Sequence, residues 1–328
     1  MNKKKLNLQQ YLWILLAILV LNFMIPRLMP GDPFTVLSTE EGGVHIEYSE
    51  KEIQELKAYY GLDQPIHRQF YNYLAGLIKG DLGYSIYYKT PVSTLIMDRI
   101  LWTLLLVIPA ILISGVLGMM LGVFSGFYRE SPLDKVMYTV FVVISEIPGF
   151  LMALALLFIF GATLNWFPLS GGKSQFLEYS SWFEHGLDIL KHSILPLTAL
   201  VFTRIGDFYL LTRNTTVSIL DKAYIKTARG KGLTQKRILF VHCLKNVWLP
   251  VLTRMLLSFG ALMGGAILVE NVFAYPGVGR LMRQGVQVRD YPLIQGAFLT
   301  MTMMVLFMNM LADMLYGFLD PRVRKNEQ

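Results

Sequence analysis

Long apolar runs alternate along this chain with shorter connections that carry most of the charge. Leu6–Pro26, Leu101–Phe127 and Tyr291–Ala312 contain no Asp, Glu, Lys or Arg. Crossing about 30 Å of hydrocarbon takes about 20 mostly apolar residues in a helix, so each run predicts a transmembrane span. Three further runs hold isolated charges: Val136 to about Trp166 contains Glu146, Ser193–Thr212 contains Arg204 and Asp207, and Pro250 to about Phe273 contains Arg254 and Glu270. The pattern predicts six spans in an all-α integral membrane protein. Residues 30–100 are too many for a turn and hold helix formers around Glu50–Tyr60, which predicts a small folded cap between the first two spans. The expected organisation is 1–94 as the first transmembrane helix and cap segment, 95–320 as a five-helix core, and 321–328 as a tail.

Composition agrees with a lipid environment. Only 16% of the residues are charged and the mean hydropathy is +0.45, against about 25% charged in a typical soluble domain. The single cysteine, Cys243, excludes a disulfide framework and any Cys-rich metal centre, since each needs several thiolates. The net charge of +7 would suit nucleic acid in a soluble chain, but in a membrane chain its placement decides its meaning, because cytoplasmic loops concentrate Lys and Arg. With the N-terminus inside, segments 1–10, 128–135, 213–249 and 320–328 hold 16 Lys and Arg in 64 residues, and the outside segments 30–100, 163–191 and 271–295 hold 11 in 125. The bias predicts cytoplasmic termini, an extracytoplasmic cap, and a lipid bilayer rather than nucleic acid as partner. Lys3, Lys4 and Lys5 precede the first apolar run as in a signal peptide, but no small-residue cleavage site follows before Pro26, so a retained helix is expected.

Gly115, Gly118, Gly122 and Gly126 recur at intervals of three and four, forming one stripe of the second span. Small residues let backbones approach closely in lipid, so this is a packing face or one that slides during transport. Gly260 and Gly264 repeat the device in the fifth span. Arg204 and Asp207 share a face of the fourth helix, and a charge left facing lipid costs about 2.5–3.5 kcal/mol. They pair with each other or a neighbouring helix, or they line a translocation route. Glu146, Glu270 and Asp313 leave the same alternatives open.

The 213–249 segment is the most basic stretch, yet small residues stud it from Lys222 to Gly232. Asp221 as N-cap and Gly232 as stop predict a helix of about ten residues, with a nearly bare Thr227–Ala228 face. A bare face edged with cations suits a groove on another protein; a solvated basic loop near anionic lipid is the other reading. The run from Ala223 to Thr253, AYIKTARGKGLTQKRILFVHCLKNVWLPVLT, resembles the coupling loop of binding-protein-dependent ABC importer permeases, in the dipeptide, oligopeptide and nickel branch. Further matches follow in order: Pro30-Gly31-Asp32-Pro33, Gly61-Leu62-Asp63 with Pro65, Gly80-Asp81-Leu82-Gly83-Tyr84-Ser85, Glu270-x-x-Phe273 with Pro276-Gly277-Val278-Gly279-Arg280, and Asp320-Pro321-Arg322.

That resemblance implies a permease subunit in a prokaryotic cell membrane, supplying half of a pathway that moves a dipeptide, oligopeptide, nickel complex or similar solute inward by alternating access. It implies a second homologous permease, two ATP-binding subunits that hold ATP and Mg, and an extracytoplasmic substrate-binding protein. The chain itself would carry no ATPase, cofactor or metal. Tyr224, Lys226, Thr227, Ala228, Arg229, Lys231 and Gly232 would form the coupling helix. Thr227, Ala228 and Gly232 match the family's small-residue motif, and Lys226 stands where the general motif has Glu.

Two other readings are weaker on the residues. Leu169-Ser170-Gly171-Gly172-Lys173 mimics an ATPase signature, but the P-loop spacing fails because position 167 is Phe. No H-E-x-x-H, G-x-S-x-G or glycosidase-like carboxylate pair is present. His45, His67, His185 and His192 are expected outside as scattered solvated side chains rather than a metal site. A stand-alone ion-coupled carrier would use Arg204, Asp207 and Glu146, but the chain lacks the internal repeat common in such carriers.

Overall fold

The computed structural model describes residues 8–30, 34, 49–175 and 177–319. Gly31-Asp32-Pro33, His45, the Lys3–Lys5 cluster, Asp320-Pro321-Arg322 and the 321–328 tail lie outside the described residues. Among those described, helices dominate, and the β-structure is an isolated bridge between Tyr84 and Pro91. In chain order the helices are α1 (Leu8–Leu28), α2 (Glu50–Tyr59), α3 (Ile66–Ile78), α4 (Val92–Phe127), α5 (Pro132–Glu146), α6 (Gly149–Leu156, continued as a π-helix over Leu157–Thr163), α7 (Trp182–Leu220), α8 (Ala223–Gly230), α9 (Gln235–Arg237, continued as a π-helix over Ile238–Leu244), α10 (Lys245–Val272), α11 (Val278–Gln287) and α12 (Tyr291–Leu319).

Among the described residues, four stretches are long and apolar enough to cross a membrane: Val92–Phe127, Trp182–Leu220, Gln235–Val272 and Tyr291–Met314. Pro132–Glu146 and Gly149–Thr163 qualify only as a pair, bent by 99°, and Leu12–Leu28 is a shorter apolar helix. The third span expected from Val136 to about Trp166 is therefore a helix pair with a break in its middle. Pro148 disfavours the α conformation for the residue before it, and Ile147 accordingly takes φ −78°, ψ 119°. Pro148 has no N–H to continue the helix and becomes the N-cap of α6.

The chain forms two compact units, one from the stretch before Trp102 together with Gly277–Met304, the other from Trp102–Pro276 and the chain from Val305. In the second, α7 is the central helix: α5, α6 and α10 pack on it. Its start is set by Ser181, whose hydroxyl accepts from the Glu184 N–H; α5 starts likewise at Ser131, with Pro132 and Asp134 in its first turn. The glycine stripe of α4 lies against α7. A Cβ at Gly118 would come within 2.6 Å of the Phe208 Cβ, one at Gly122 within 2.5 Å of the Tyr209 carbonyl oxygen, and one at Gly126 within 2.8 Å of the Arg213 carbonyl oxygen. One at Gly115 would meet the flexible Met255 side chain. Gly260 faces Val305 at 2.8 Å, whereas a Cβ at Gly264 meets nothing within 4 Å.

In the other unit, Phe23 near the end of α1 is buried against Phe70 and Tyr73 of α3, at ring separations of 5.0 and 5.7 Å. Asn22 donates to the Tyr73 hydroxyl and to the Gln295 carbonyl, both at 2.9 Å. Asp290 is fully buried; it accepts from the Ser85 hydroxyl at 2.5 Å and the Tyr87 N–H at 3.0 Å while capping the Leu293 N–H at 3.1 Å. One carboxylate thus fixes the turn before α4 to the start of α12.

Candidate functional site

The 213–249 segment resolves into a short exposed helix slung between two long ones. Helix α7 ends at Asp221, whose N–H bonds the Ile219 carbonyl. The Asp221 side chain pairs with Arg129 at 3.0 Å, and Lys222, without a side-chain cap bond, is the N-cap of α8. Asp221 is not the N-cap expected from sequence: its own backbone is still helical (φ −82°, ψ −7°) and closes α7, and the extended residue that starts α8 is Lys222. Helix α8 runs eight residues rather than about ten. Its end is closed by Lys231 N–H to Thr227 O and Gly232 N–H to Arg229 O, both at 3.0 Å, with Gly232 at φ +77°. That left-handed conformation costs a glycine least. Thr234 then caps α9, and the π-helix leads into α10.

Two side chains anchor α8: Ile225 is 0% exposed and Ala228 8%. Residues advance about 100° per step on a helix, so the opposite face is Ala223, Thr227 and Gly230, all exposed, flanked by Lys226 on one side and by Tyr224 and Lys231 on the other. The bare face expected at Thr227–Ala228 is thus rotated: Ala228 points inward and Thr227 outward. Arg229 and Gly232 are exposed as well, and a Cβ on Gly230 or Gly232 would meet nothing within 4 Å. Tyr224 sits 6.3 Å from the His242 ring, and burial raises the pKa of its hydroxyl.

The charges within the spans fall into distinct settings. Arg204 and Asp207 pair on α7 at 3.1 Å, with side chains 23% and 35% exposed, and the Arg204 Nε is buried without a partner among the described residues. The close approaches of α4 to α7 are at Ile205, Phe208 and Tyr209, those of α5 and α6 at Gly206 and Thr203, and Leu200, on the same side of α7 as Arg204 and Asp207, lies 4.0 Å from a Cβ built on Gly265 of α10. Glu146 is exposed at the break between α5 and α6. Glu270 is fully buried and accepts from the Thr103 hydroxyl at 2.6 Å.

Sequence reasoning missed a buried ionic hub. Asp134, 1% exposed, takes Arg213 Nε and Nη2 on its two oxygens at 2.7 Å each, the Glu130 N–H at 3.0 Å, and the Ser125 hydroxyl, which also bonds the Tyr209 hydroxyl at 2.6 Å. It ties α4, α5 and α7 together ten residues before α8 begins. The ATPase-like turn is accounted for by packing. Gly171 has φ +90° and donates its N–H to Phe273 O at 2.9 Å, and a Cβ on Gly172 would press on Pro276 and Trp102 at 2.7 and 2.9 Å. Asp188 organises the chain after it, accepting from the Ser174 N–H at 2.6 Å, the Ser174 hydroxyl at 2.7 Å and the Tyr179 hydroxyl at 2.8 Å. His192 bonds the Asp188 carbonyl at 2.9 Å, and His185 lies 4.6 Å from the Tyr179 ring. No cluster of three metal-binding side chains occurs among the described residues.

Comparison with known proteins bears on what this arrangement serves. The chain is 34% identical over 310 residues to a glutathione transport system permease protein of Salmonella choleraesuis, covering 94% of both chains. It is 34% identical over 325 residues to a dipeptide transport system permease protein of Escherichia coli, again covering 94% of each. It is 33% identical over 311 residues to a putative peptide transport system permease protein of Brucella abortus, covering 95% of each. The model of the family described as binding-protein-dependent transport system inner membrane component matches residues 118–325, a stretch that contains α7, α8 and α10. With full-length likeness to three permeases and a family match over more than half its length, the chain belongs to the binding-protein-dependent transport system inner membrane components.

Proposed function

We propose that this chain is one of two permease subunits in an ATP-driven importer of peptides or closely related small solutes. The substrate class is carried over from relatives named for glutathione, dipeptide and peptide transport. In this reading α1 and the bent α5–α6 pair complete six spans, both termini are cytoplasmic, and α8 docks on one of two partner ATPases that bind ATP and Mg. A binding protein delivers solute from outside. The observation that supports it is the build of α8: two inward anchors, a small outward face edged by cations, and open space around Gly230 and Gly232.

Such a helix is a docking element by its chemistry. Small outward residues admit close approach of a partner surface, and Lys226, Arg229 and Lys231 add attraction to an acidic one. Displacement of α8 is passed to α7 directly, and through Arg213–Asp134 to α5. ATPase closure would thereby bias the permease between inward- and outward-facing states. Arg204 and Asp207, paired on α7 and part-exposed, are proposed to line the route.

The test separates bulk from strain. Gly232→Trp would be strained by its positive φ, so the better variants are Thr227→Trp, at an exposed helical position, and Gly230→Trp, where a Cβ would meet nothing within 4 Å. Each is expected to insert normally and to lose peptide uptake and copurifying ATPase by about tenfold or more, corresponding to about 1.4 kcal/mol of lost docking energy or greater. Wild-type uptake and full ATPase recovery in both variants would remove α8 from the coupling role.

A further inference from the structure

A cavity of about 200 Å³ lies at the end of α1, with walls from α3, the turn at 80–83 and the start of α12. Arg27 and Asp81 both line it. The Arg27 guanidinium lies over the Phe23 ring at 3.6 Å, sends Nε and Nη2 to the Gln69 Oε1 at 3.0 and 2.9 Å, and sends Nη1 to the Phe23 carbonyl at 3.0 Å. All of these partners among the described residues are neutral. Gln69 is itself fixed, its Nε2 donating to Leu62 O at 3.2 Å and Gln64 O at 2.8 Å. Arginine has five N–H donors, so two remain for the cavity from a guanidinium that is already oriented. A positive charge with neutral neighbours in a half-closed space is stabilised by an anion.

The tyrosine hydroxyls of the lining add donors. Tyr73 accepts from Asn22, which leaves its own O–H proton for the cavity. Tyr60 also lines it, and burial pushes its phenol up to about 12 and raises that of Tyr73, so both stay protonated at neutral pH. Asp81 supplies the opposite chemistry. One of its oxygens accepts the Gly83 N–H at 2.8 Å, and the turn that holds it relies on Gly80 and Gly83 at φ +76° and +88°. Asp81 has no cation partner among the described residues, and no ion pair joins it to Arg27. A ligand entering this cavity meets a half-buried, oriented cation on one side and an exposed carboxylate held by its turn on the other.

We infer that this cavity binds a zwitterion, with its phosphate or carboxylate on Arg27 and the tyrosine hydroxyls and its ammonium on Asp81. The headgroup of phosphatidylethanolamine and a free amino-acid or peptide zwitterion share that chemistry. The test uses the full chain, purified in detergent with whatever subunits it retains. Native mass spectrometry measures retention of phosphatidylethanolamine against phosphatidylglycerol, which has the phosphate without the ammonium, and thermal unfolding is followed with and without dialanine. Retention of phosphatidylethanolamine over phosphatidylglycerol supports the site and identifies lipid as the source; an upward shift with dialanine alone supports it with a soluble source. Asp81→Asn is expected to weaken the favoured zwitterion by about tenfold, as for loss of one charged hydrogen bond, without changing phosphatidylglycerol retention. Equal retention of the two lipids with no response to dialanine, or no binding of either zwitterion, overturns the inference. The ligand comparison on the unmodified chain stands even if the variant misfolds. Because binding is read without transport, failure here leaves the permease reading intact, and failure of that reading leaves this site.

Discussion

At the scale of single residues, glycines separate into those that set a helix–helix distance and those that do not. Gly122 puts the α7 backbone where its own Cβ would be, 2.5 Å from the Tyr209 carbonyl and 2.8 Å from the Thr212 Cβ. A backbone atom of a packed helix cannot swing aside as a side chain can. Gly122→Ala is therefore expected to destabilise the chain by about 1–3 kcal/mol, the range for overpacking, even though Ala is intrinsically the better helix former by about 1 kcal/mol. Gly264→Ala, with nothing within 4 Å, keeps the propensity gain without the clash. Thermal unfolding in detergent should place the two variants on opposite sides of wild type or show Gly264→Ala unchanged; equal losses would show that the stripe on α4 has no special closeness to α7.

At the scale of elements, the hub around Asp134 adds charge and hydrogen bonds to the packing of three helices. Removing one partner of a buried ion pair costs about 3–5 kcal/mol because the other charge is stranded. Arg213 keeps 20% exposure, so Asp134→Asn is expected at the low end of that range. The double replacement Asp134→Asn with Arg213→Met should recover part of the loss, since no charge is then left behind. A double variant no more stable than the single one would show that Arg213 is stabilised by water instead. Some of this architecture was legible beforehand and some was not, for identifiable reasons. The uninterrupted apolar runs became α4 and α12 because composition alone settles whether a helix tolerates lipid. The basic segment became a helix bounded near Gly232 because the left-handed turn residue is a local signal. The bend at Ile147-Pro148 was written in the sequence but outweighed by the apolar run around it. What distance in sequence hides stayed hidden: Arg129 pairing with Asp221, and Arg213 reaching Asp134 across 79 residues.

At the scale of the whole molecule, the orientation in the membrane decides whether α8 can meet an ATPase at all. Helix α7 has 39 residues, about 58 Å at 1.5 Å per residue, against about 30 Å of hydrocarbon. Both of its ends must project from the bilayer if it crosses upright, and they project on opposite sides. Ser180, just before its start, and Lys226, just beyond its end, are both exposed. The charge bias assigns the Lys226 side to the cytoplasm, because Lys and Arg crowd the 213–249 segment and are sparse in 163–191. The single native thiol, Cys243, is fully buried and leaves a quiet background for introduced ones. In intact cells a membrane-impermeant maleimide is expected to label Ser180→Cys, and to label Lys226→Cys only after the membrane is opened. The reverse pattern would put α8 in a compartment without ATP, and the proposed coupling role would fall with it even though the family assignment would stand.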